Sequence, residues 1–252
     1  MSVIGEKVTE TSGRITSVTM TEAGAVVNID WDAGPLGTPV STEMWGQAVD
    51  GAGKTGPVTA QGMMFGPDGS ATPYTGSGTW HASGQHHWDV KWILLIRDGT
   101  RLFVDLEYDL ATRSVKGTGY ALDHAKEDGM SVIGEKQAEV RTKVTSMTVT
   151  EAGIMVNQEA EDEALGTALA TATFGPAQDA GGETGPVTER GQFFAPDGGS
   201  RAYTAAGVWR KVGQHKWETK QIGVDSEGTR MLTVEVWDLA TRSTEAAIYS
   251  LD

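Results

Sequence analysis

The chain contains no cysteine among its 252 residues. This absence excludes disulfide bonds, thiolate metal ligands and a cysteine nucleophile. Basic residues are also scarce, with 20 Lys and Arg against 34 Asp and Glu, and the resulting net charge of -14 repels the phosphates of nucleic acids and the surfaces of anionic lipids. We therefore expect neither nucleic acid nor a membrane to be a partner.

Long apolar runs are missing as well. No segment approaches the roughly 18 apolar residues that a membrane span needs, and the first seven residues, MSVIGEK, lack the basic-then-apolar order of a secretion signal. We predict an intracellular, cytoplasmic protein. The chain has only 8 prolines but 33 glycines, and this composition, with many Thr and Val, is typical of short strands joined by tight turns.

The dominant feature of the sequence is an internal repeat. A shift of 129 residues aligns residues 1–123 with residues 130–252 without a gap, and 57 of the 123 aligned positions are identical. We predict one domain in each copy, joined by a short polar linker at residues 124–129. The divergence of the copies favours an old duplication over an engineered tandem, and the two domains are expected to pack with pseudo-twofold symmetry.

Turn signals such as Pro67-Asp68-Gly69 and Asp98-Gly99 divide each copy into eight segments of strand length. Short connections favour a closed up-and-down barrel, because closure removes exposed sheet edges. The predicted fold class is all-β, with two tandem eight-stranded antiparallel barrels. Helix propensity at 159–173 is overruled by Pro35 and Pro39 in the equivalent stretch of the first copy. The predicted strands of the first copy are 13–21, 24–31, 38–46, 57–66, 73–81, 86–96, 101–108 and 114–122.

An eight-stranded barrel is wide enough either to fill with side chains or to hold one small ligand. Alternate residues of a strand share a face, so Tyr74 and Trp80 should lie on one face beside small residues that leave space. The first copy is the more aromatic of the two, and we predict that its cavity holds the ligand. The predicted ligand-contacting side chains are Tyr74, Trp80, Trp88, Trp31, Trp45 and Trp92.

Polar residues that recur in both copies suggest acid–base chemistry. These side chains are predicted to point into the barrel. Asp30 and His86 are hypothesised to exchange protons with a substrate, while Asn28 or Tyr120 polarises a substrate oxygen. The alternative for His86 is a purely structural hydrogen bond to a strand or turn backbone. The equivalents of these residues and of the aromatic set in the second copy are Asn157, Glu159, His215, Trp209 and Trp217.

Two further groups of residues have a simpler interpretation. A metal site in the first copy is disfavoured because neighbouring histidines point to opposite faces of a strand, so no metal and no other cofactor is expected. The pair Asp105 and Glu107 either forms an acid–base site that the second copy has lost or lies in solvent near a barrel rim. The residues considered for a metal are His81, His86, His87 and Asp89.

The stretch from Trp80 to Trp88, with His86 inside it, and the hairpin Gly99–Arg101 resemble small lipocalin-like barrels of the allene oxide cyclase and dirigent type. The resemblance is architectural and covers each repeat. It implies a cofactor-free cyclase, isomerase or lyase acting on a small apolar molecule, and this is the leading functional hypothesis. The alternatives are a non-catalytic carrier that uses the same cavity and a structural protein whose barrels are filled.

Overall fold

The computed structural model describes residues 4–122, 133–162 and 166–251. The chain divides into two compact units, Met1–Val132 and Ile133–Asp252. The linker predicted at 124–129 lies outside the described residues. Within the described ranges, the model contains no helix that is long and apolar enough to cross a membrane.

The first unit is a closed antiparallel barrel of eight strands in sequence order. Each strand pairs with its neighbours along the chain, and β1 also pairs with β8, where Lys7 lies opposite Tyr120. A single 3₁₀ turn, Gly34–Leu36, connects β2 to β3. The strands are β1 (Lys7–Thr21), β2 (Gly24–Asp32), β3 (Thr38–Gly46), β4 (Thr55–Phe65), β5 (Ala71–Gly84), β6 (His87–Ile96), β7 (Arg101–Asp109) and β8 (Ser114–Ala121).

The second unit repeats this closed barrel, and its first and last strands pair in the same way. The predicted fold class is therefore confirmed. The described residues of the stretch with local helix propensity, 159–162 and 166–173, belong to two strands that pair with each other, as the prolines of the first copy indicated. The strands are β9 (Lys136–Thr150), β10 (Gly153–Asp162), β11 (Gly166–Phe174), β12 (Thr184–Phe194), β13 (Ser200–Gly213), β14 (Lys216–Asp225), β15 (Arg230–Asp238) and β16 (Ser243–Ser250).

Alternation along β3 shows how the sequence forms the interior. Pro39, Ser41, Glu43 and Trp45 are buried, while the residues between them are exposed. Apolar and aromatic side chains from all eight strands meet in the centre of the first barrel and fill most of it. The apolar core of the second barrel is smaller, since several of its inward positions carry polar side chains.

Two equivalent glycines allow adjacent strands to approach each other closely. A Cβ atom on Gly78 of β5 would lie 1.8 Å from the backbone oxygen of Lys91, and one on Gly207 of β13 would lie 1.9 Å from that of Lys220. Backbone atoms of a paired strand cannot move aside without breaking the ladder. These positions therefore require glycine for steric reasons.

Candidate functional site

Strand β2 has its inward face at the odd positions. Val27, Ile29 and Trp31 are buried, whereas Asp30 is exposed and Asn28 is half-buried. The prediction that Asn28 and Asp30 face the interior is therefore wrong, because the apolar alternation of the strand sets its orientation. The equivalent residues Asn157 and Glu159 are likewise only half-buried.

Asn28 instead links three strands on the outer surface of the first barrel. Its Nδ2 donates to Ser17 Oγ at 2.7 Å, and its Oδ1 accepts from Thr42 Oγ1 at 2.7 Å. Asn157 makes the same two contacts in the second barrel, with Ser146 and Thr171. The recurrence of this amide in both copies is thus explained by sheet structure.

Replacement of Asn28 by Ala should lower the free energy of unfolding of the first barrel by about 1 to 2 kcal/mol, since two partly exposed hydrogen bonds are lost. Urea denaturation of the full chain would measure the change. Asp30→Ala is the matched control, because its exposed side chain should contribute less than about 0.5 kcal/mol. Equal effects of the two substitutions would contradict this role of Asn28.

His86 lies in the turn between β5 and β6, is exposed and has a φ of 63°. Its backbone oxygen accepts a hydrogen bond from the amide of Leu110 at 3.0 Å, and His215 does the same with Leu239 at 2.9 Å. Both histidines therefore stabilise the local structure through a backbone hydrogen bond. The predicted exchange of protons by His86 and Asp30 with a substrate inside the barrel is not supported by these positions, since both side chains are exposed.

The predicted aromatic residues lie mainly in the core of the first barrel. Trp45 stacks on Trp80 with ring centres 6.3 Å apart, and the half-buried Trp88 contacts Trp45 edge-on. These three rings fill one end of the barrel. In the second barrel Trp209 stacks on the half-buried Trp217 at 5.5 Å.

The remaining predicted site residue, Tyr120, faces the outer side of the wall. It is half-buried and lies against Phe103, with ring centres 6.4 Å apart. Polarisation of a ligand oxygen inside the barrel by Tyr120 is therefore not supported by its position. Across the described residues, no group of three or more His, Asp or Glu side chains is arranged to hold a metal ion.

A carboxylic acid that the sequence reasoning missed lies at the centre of the first barrel. Glu43 is 0% exposed and accepts hydrogen bonds from Trp45 Nε1 at 2.8 Å, from the Tyr108 hydroxyl at 2.9 Å and from Ser41 Oγ at 3.5 Å. Burial raises the pKa of Glu43 to about 8, although the three donors favour its charged form. The signal was present in β3, where position 43 has the same parity as the buried Trp45.

The open end of the first barrel contains a cavity of about 50 Å³. Trp31, Tyr74 and Trp92 line it together with aliphatic side chains, and Leu36 of the 3₁₀ turn borders it. Trp31 Nε1 donates to Ser41 Oγ at 2.8 Å. By contrast, the buried Trp92 Nε1 has no acceptor among the described residues.

The second barrel has a cavity of about 50 Å³ at the same end, but its lining differs in chemistry. The half-buried Glu159 borders this cavity, and two buried glutamates, Glu189 and Glu235, line it with Gln158, Gln221 and Tyr203. At the equivalent positions the first copy has Ala60, Leu106, Ile29, Trp92 and Tyr74. The duplicated barrels have therefore diverged most in their interiors.

Comparison of the chain with protein-family models, with curated proteins and with solved structures found no match. The two closed eight-stranded barrels are consistent with a lipocalin-like architecture. Conclusions about function therefore depend on the geometry of the two cavities.

Proposed function

We propose that the first barrel binds a small, largely apolar molecule that carries one hydrogen-bond acceptor. The supporting observation is the unpartnered Trp92 Nε1 in the lining of an otherwise apolar cavity. A buried donor without a partner loses the hydrogen bond that water would provide. A ligand with a carbonyl or ether oxygen would restore it.

The lining of this cavity favours binding over catalysis. Tyr74 is its one titratable side chain within the described part of the chain, and burial raises the pKa of Tyr74 above its usual value. Glu43 is bonded to three donors and does not line the cavity. The carrier is therefore the better of the two functions that the Trp-rich barrel suggests, and the resemblance to allene oxide cyclase and dirigent barrels is compatible with a ligand at this position.

Acetone and isobutene form a suitable pair of probes, because they are small, share a shape and differ in the acceptor oxygen. We expect the wild-type protein to bind the ketone about five- to tenfold more tightly, as one hydrogen bond contributes about 1 kcal/mol. Titrations followed by NMR of the tryptophan indole N–H groups would measure both affinities. The Trp92 indole resonance should shift on addition of the ketone.

Two variants separate the hydrogen bond from a change in cavity size. Trp92→Phe should remove the preference for the ketone. Trp31→Phe enlarges the same cavity, but the N–H that it deletes is bonded to Ser41, so the preference should remain. Equal affinity of the wild-type protein for both probes, or an unchanged preference in Trp92→Phe, would exclude the proposed contact.

A further inference from the structure

The cavity of the second barrel borders a wider depression. The depression has a volume of about 700 Å³ and shares the lining residues Val140, Phe193, Met231 and Ile248 with the cavity. The buried polar groups of the cavity therefore lie directly behind residues that also line this depression.

The two carboxyl groups of this cavity have different surroundings. Glu189 accepts hydrogen bonds from the Tyr203 hydroxyl at 2.5 Å and from Gln221 Nε2 at 3.0 Å. It also accepts a longer one from Gln158 Nε2 at 3.4 Å. Glu235 is 2% exposed and accepts one from Thr244 Oγ1 at 2.8 Å, and hydrogen bonding to Gln158 and Trp237 also favours its charged form. Two carboxyl groups held in unlike environments can divide the roles of base and acid between them.

Protonation of Glu235 follows from its burial and from repulsion by Glu189. Burial, and then the negative charge of Glu189, raise the pKa of Glu235 to about 8. At neutral pH, Glu235 therefore carries a proton that it can donate. Tyr203, which is bonded to Glu189, stays protonated because burial and the two glutamates raise its pKa. The remaining titratable residue in the lining is the half-buried Glu159.

One buried acceptor in the lining of the cavity lacks a hydrogen-bond partner among the described residues. Gln221 is 0% exposed and lines the cavity, and its Oε1 has no donor among the residues that the structure describes. Its Nε2 is bonded to Glu189, which fixes the orientation of the amide and leaves the oxygen available. A hydroxyl group of a ligand would satisfy this acceptor.

We propose that the second barrel catalyses reversible proton transfer on small α-hydroxy carbonyl compounds. Gln221 Oε1 accepts a hydrogen bond from the substrate hydroxyl. The Glu189 carboxylate removes a proton from the carbon that bears this hydroxyl, and the electrons of the C–H bond form the C=C bond of an enediol. The carbonyl oxygen takes the proton of Glu235.

The return of the two protons closes the cycle without an oxidant or a cofactor. Protonated Glu189 returns its proton to either carbon of the enediol, and the Glu235 carboxylate takes one from the oxygen that becomes the carbonyl. Return to the first carbon exchanges its hydrogen with solvent, whereas return to the second carbon gives the isomer. The chemistry is specific to the second copy, since positions 60, 106 and 92 of the first copy are Ala60, Leu106 and Trp92.

Hydroxyacetone in D₂O is the probe, and loss of its CH₂ signal in ¹H NMR measures the exchange. The full chain should accelerate exchange at least a hundredfold over buffer. Glu189→Gln and Glu235→Gln should each lower the rate by about a hundredfold or more, as is usual for a general base or acid. Glu43→Gln is the matched control, because this buried acid belongs to the other barrel and its loss should leave the rate unchanged.

The pH dependence of the wild-type protein tests the same assignment without any variant. The catalysed rate should fall as the pH rises above about 8, since Glu235 then loses the proton that it donates. Gln221→Met should raise KM for hydroxyacetone more than for acetone, which lacks the hydroxyl. A rate equal to that of buffer, a rate that survives Glu189→Gln and Glu235→Gln, or a catalysed rate that does not fall above pH 8 would each overturn the proposal.

Discussion

Glu43→Gln should make the first barrel several kcal/mol more stable at pH 9 than the wild-type protein, with little difference at pH 5. The pKa of Glu43 is about 8 in the folded chain against 4.5 for an ordinary glutamate. In the wild-type protein the unfolded chain releases this proton above pH 4.5, whereas the folded chain retains it up to about pH 8. The stabilisation from the neutral acid is therefore complete below pH 4.5 and is lost as the pH rises to about 8, a change on the order of 5 kcal/mol.

Two tyrosines interact with this carboxyl group. Tyr108 donates a hydrogen bond to it, and the negative charge of ionised Glu43 raises the pKa of Tyr74. Burial raises the pKa of both, so neither titrates between pH 5 and pH 9. Gln has the shape of the neutral acid and cannot ionise. The difference in unfolding free energy between the wild-type protein and the variant thus reports Glu43 alone.

Native-state hydrogen exchange, read on peptides from β3 and β7, would follow the first barrel separately within the full chain. Glu107→Gln is the matched control, because Glu107 is exposed and its ion-pair partner in the described part of the chain is the exposed Lys116. Its effect should stay within about 0.5 kcal/mol at both pH values. A wild-type stability that rises from pH 5 to pH 9 in parallel with that of Glu43→Gln would contradict the assignment.

Gly78→Ala should lower the unfolding free energy of the first barrel by about 3 kcal/mol or more. The added Cβ would lie 1.8 Å from the backbone oxygen of Lys91 and 3.0 Å from the Cα of Trp92. Overpacking usually costs 1–3 kcal/mol where side chains can adjust. Here the contact is with the backbone of a paired strand, so relief requires β5 and β6 to separate locally.

Gly119→Ala is the matched control for this substitution. Its Cβ would approach the methyl group of Thr9 to 3.1 Å, and a side chain on the opposite strand can move by the small amount required. Urea denaturation followed by tryptophan fluorescence would compare the two variants. Similar losses of stability would show that the close approach at Gly78 has no special cost.

The architecture of this protein was predictable because two independent regularities agree. Turn residues divide each copy into eight segments, and the repeat showed that the region at 159–173 must match a stretch that contains Pro35 and Pro39. Local helix propensity was thereby overruled. Strand pairing between neighbours then required only short connections.

The candidate sites were harder to predict from the sequence. On β2 the apolar alternation of Val27, Ile29 and Trp31 opposed the recurrence of Asn28 and Asp30 in both copies, and the alternation determined the orientation. Recurring polar residues indicated a shared structural contact rather than a shared site.

The buried acids show what alternation along a strand can predict and what it cannot. Glu43 and Glu235 have the parity of the buried Trp45 and Trp237, so alternation alone places them inside. Their partners could not be read from the sequence, because Tyr108 reaches Glu43 across the barrel from a position 65 residues away. Parity gives the face of a strand, and only closure of the sheet determines which distant side chains meet.

In each barrel the first strand pairs with the last, with Lys7 opposite Tyr120 and Lys136 opposite Tyr249. The beginning and the end of each repeat along the chain are therefore adjacent in space. A duplicated gene segment inserted at such a junction adds a whole folding unit without interrupting any existing strand pair. Growth by tandem copying is therefore easy for this fold. Each new copy can then change its interior while the parent retains the original one.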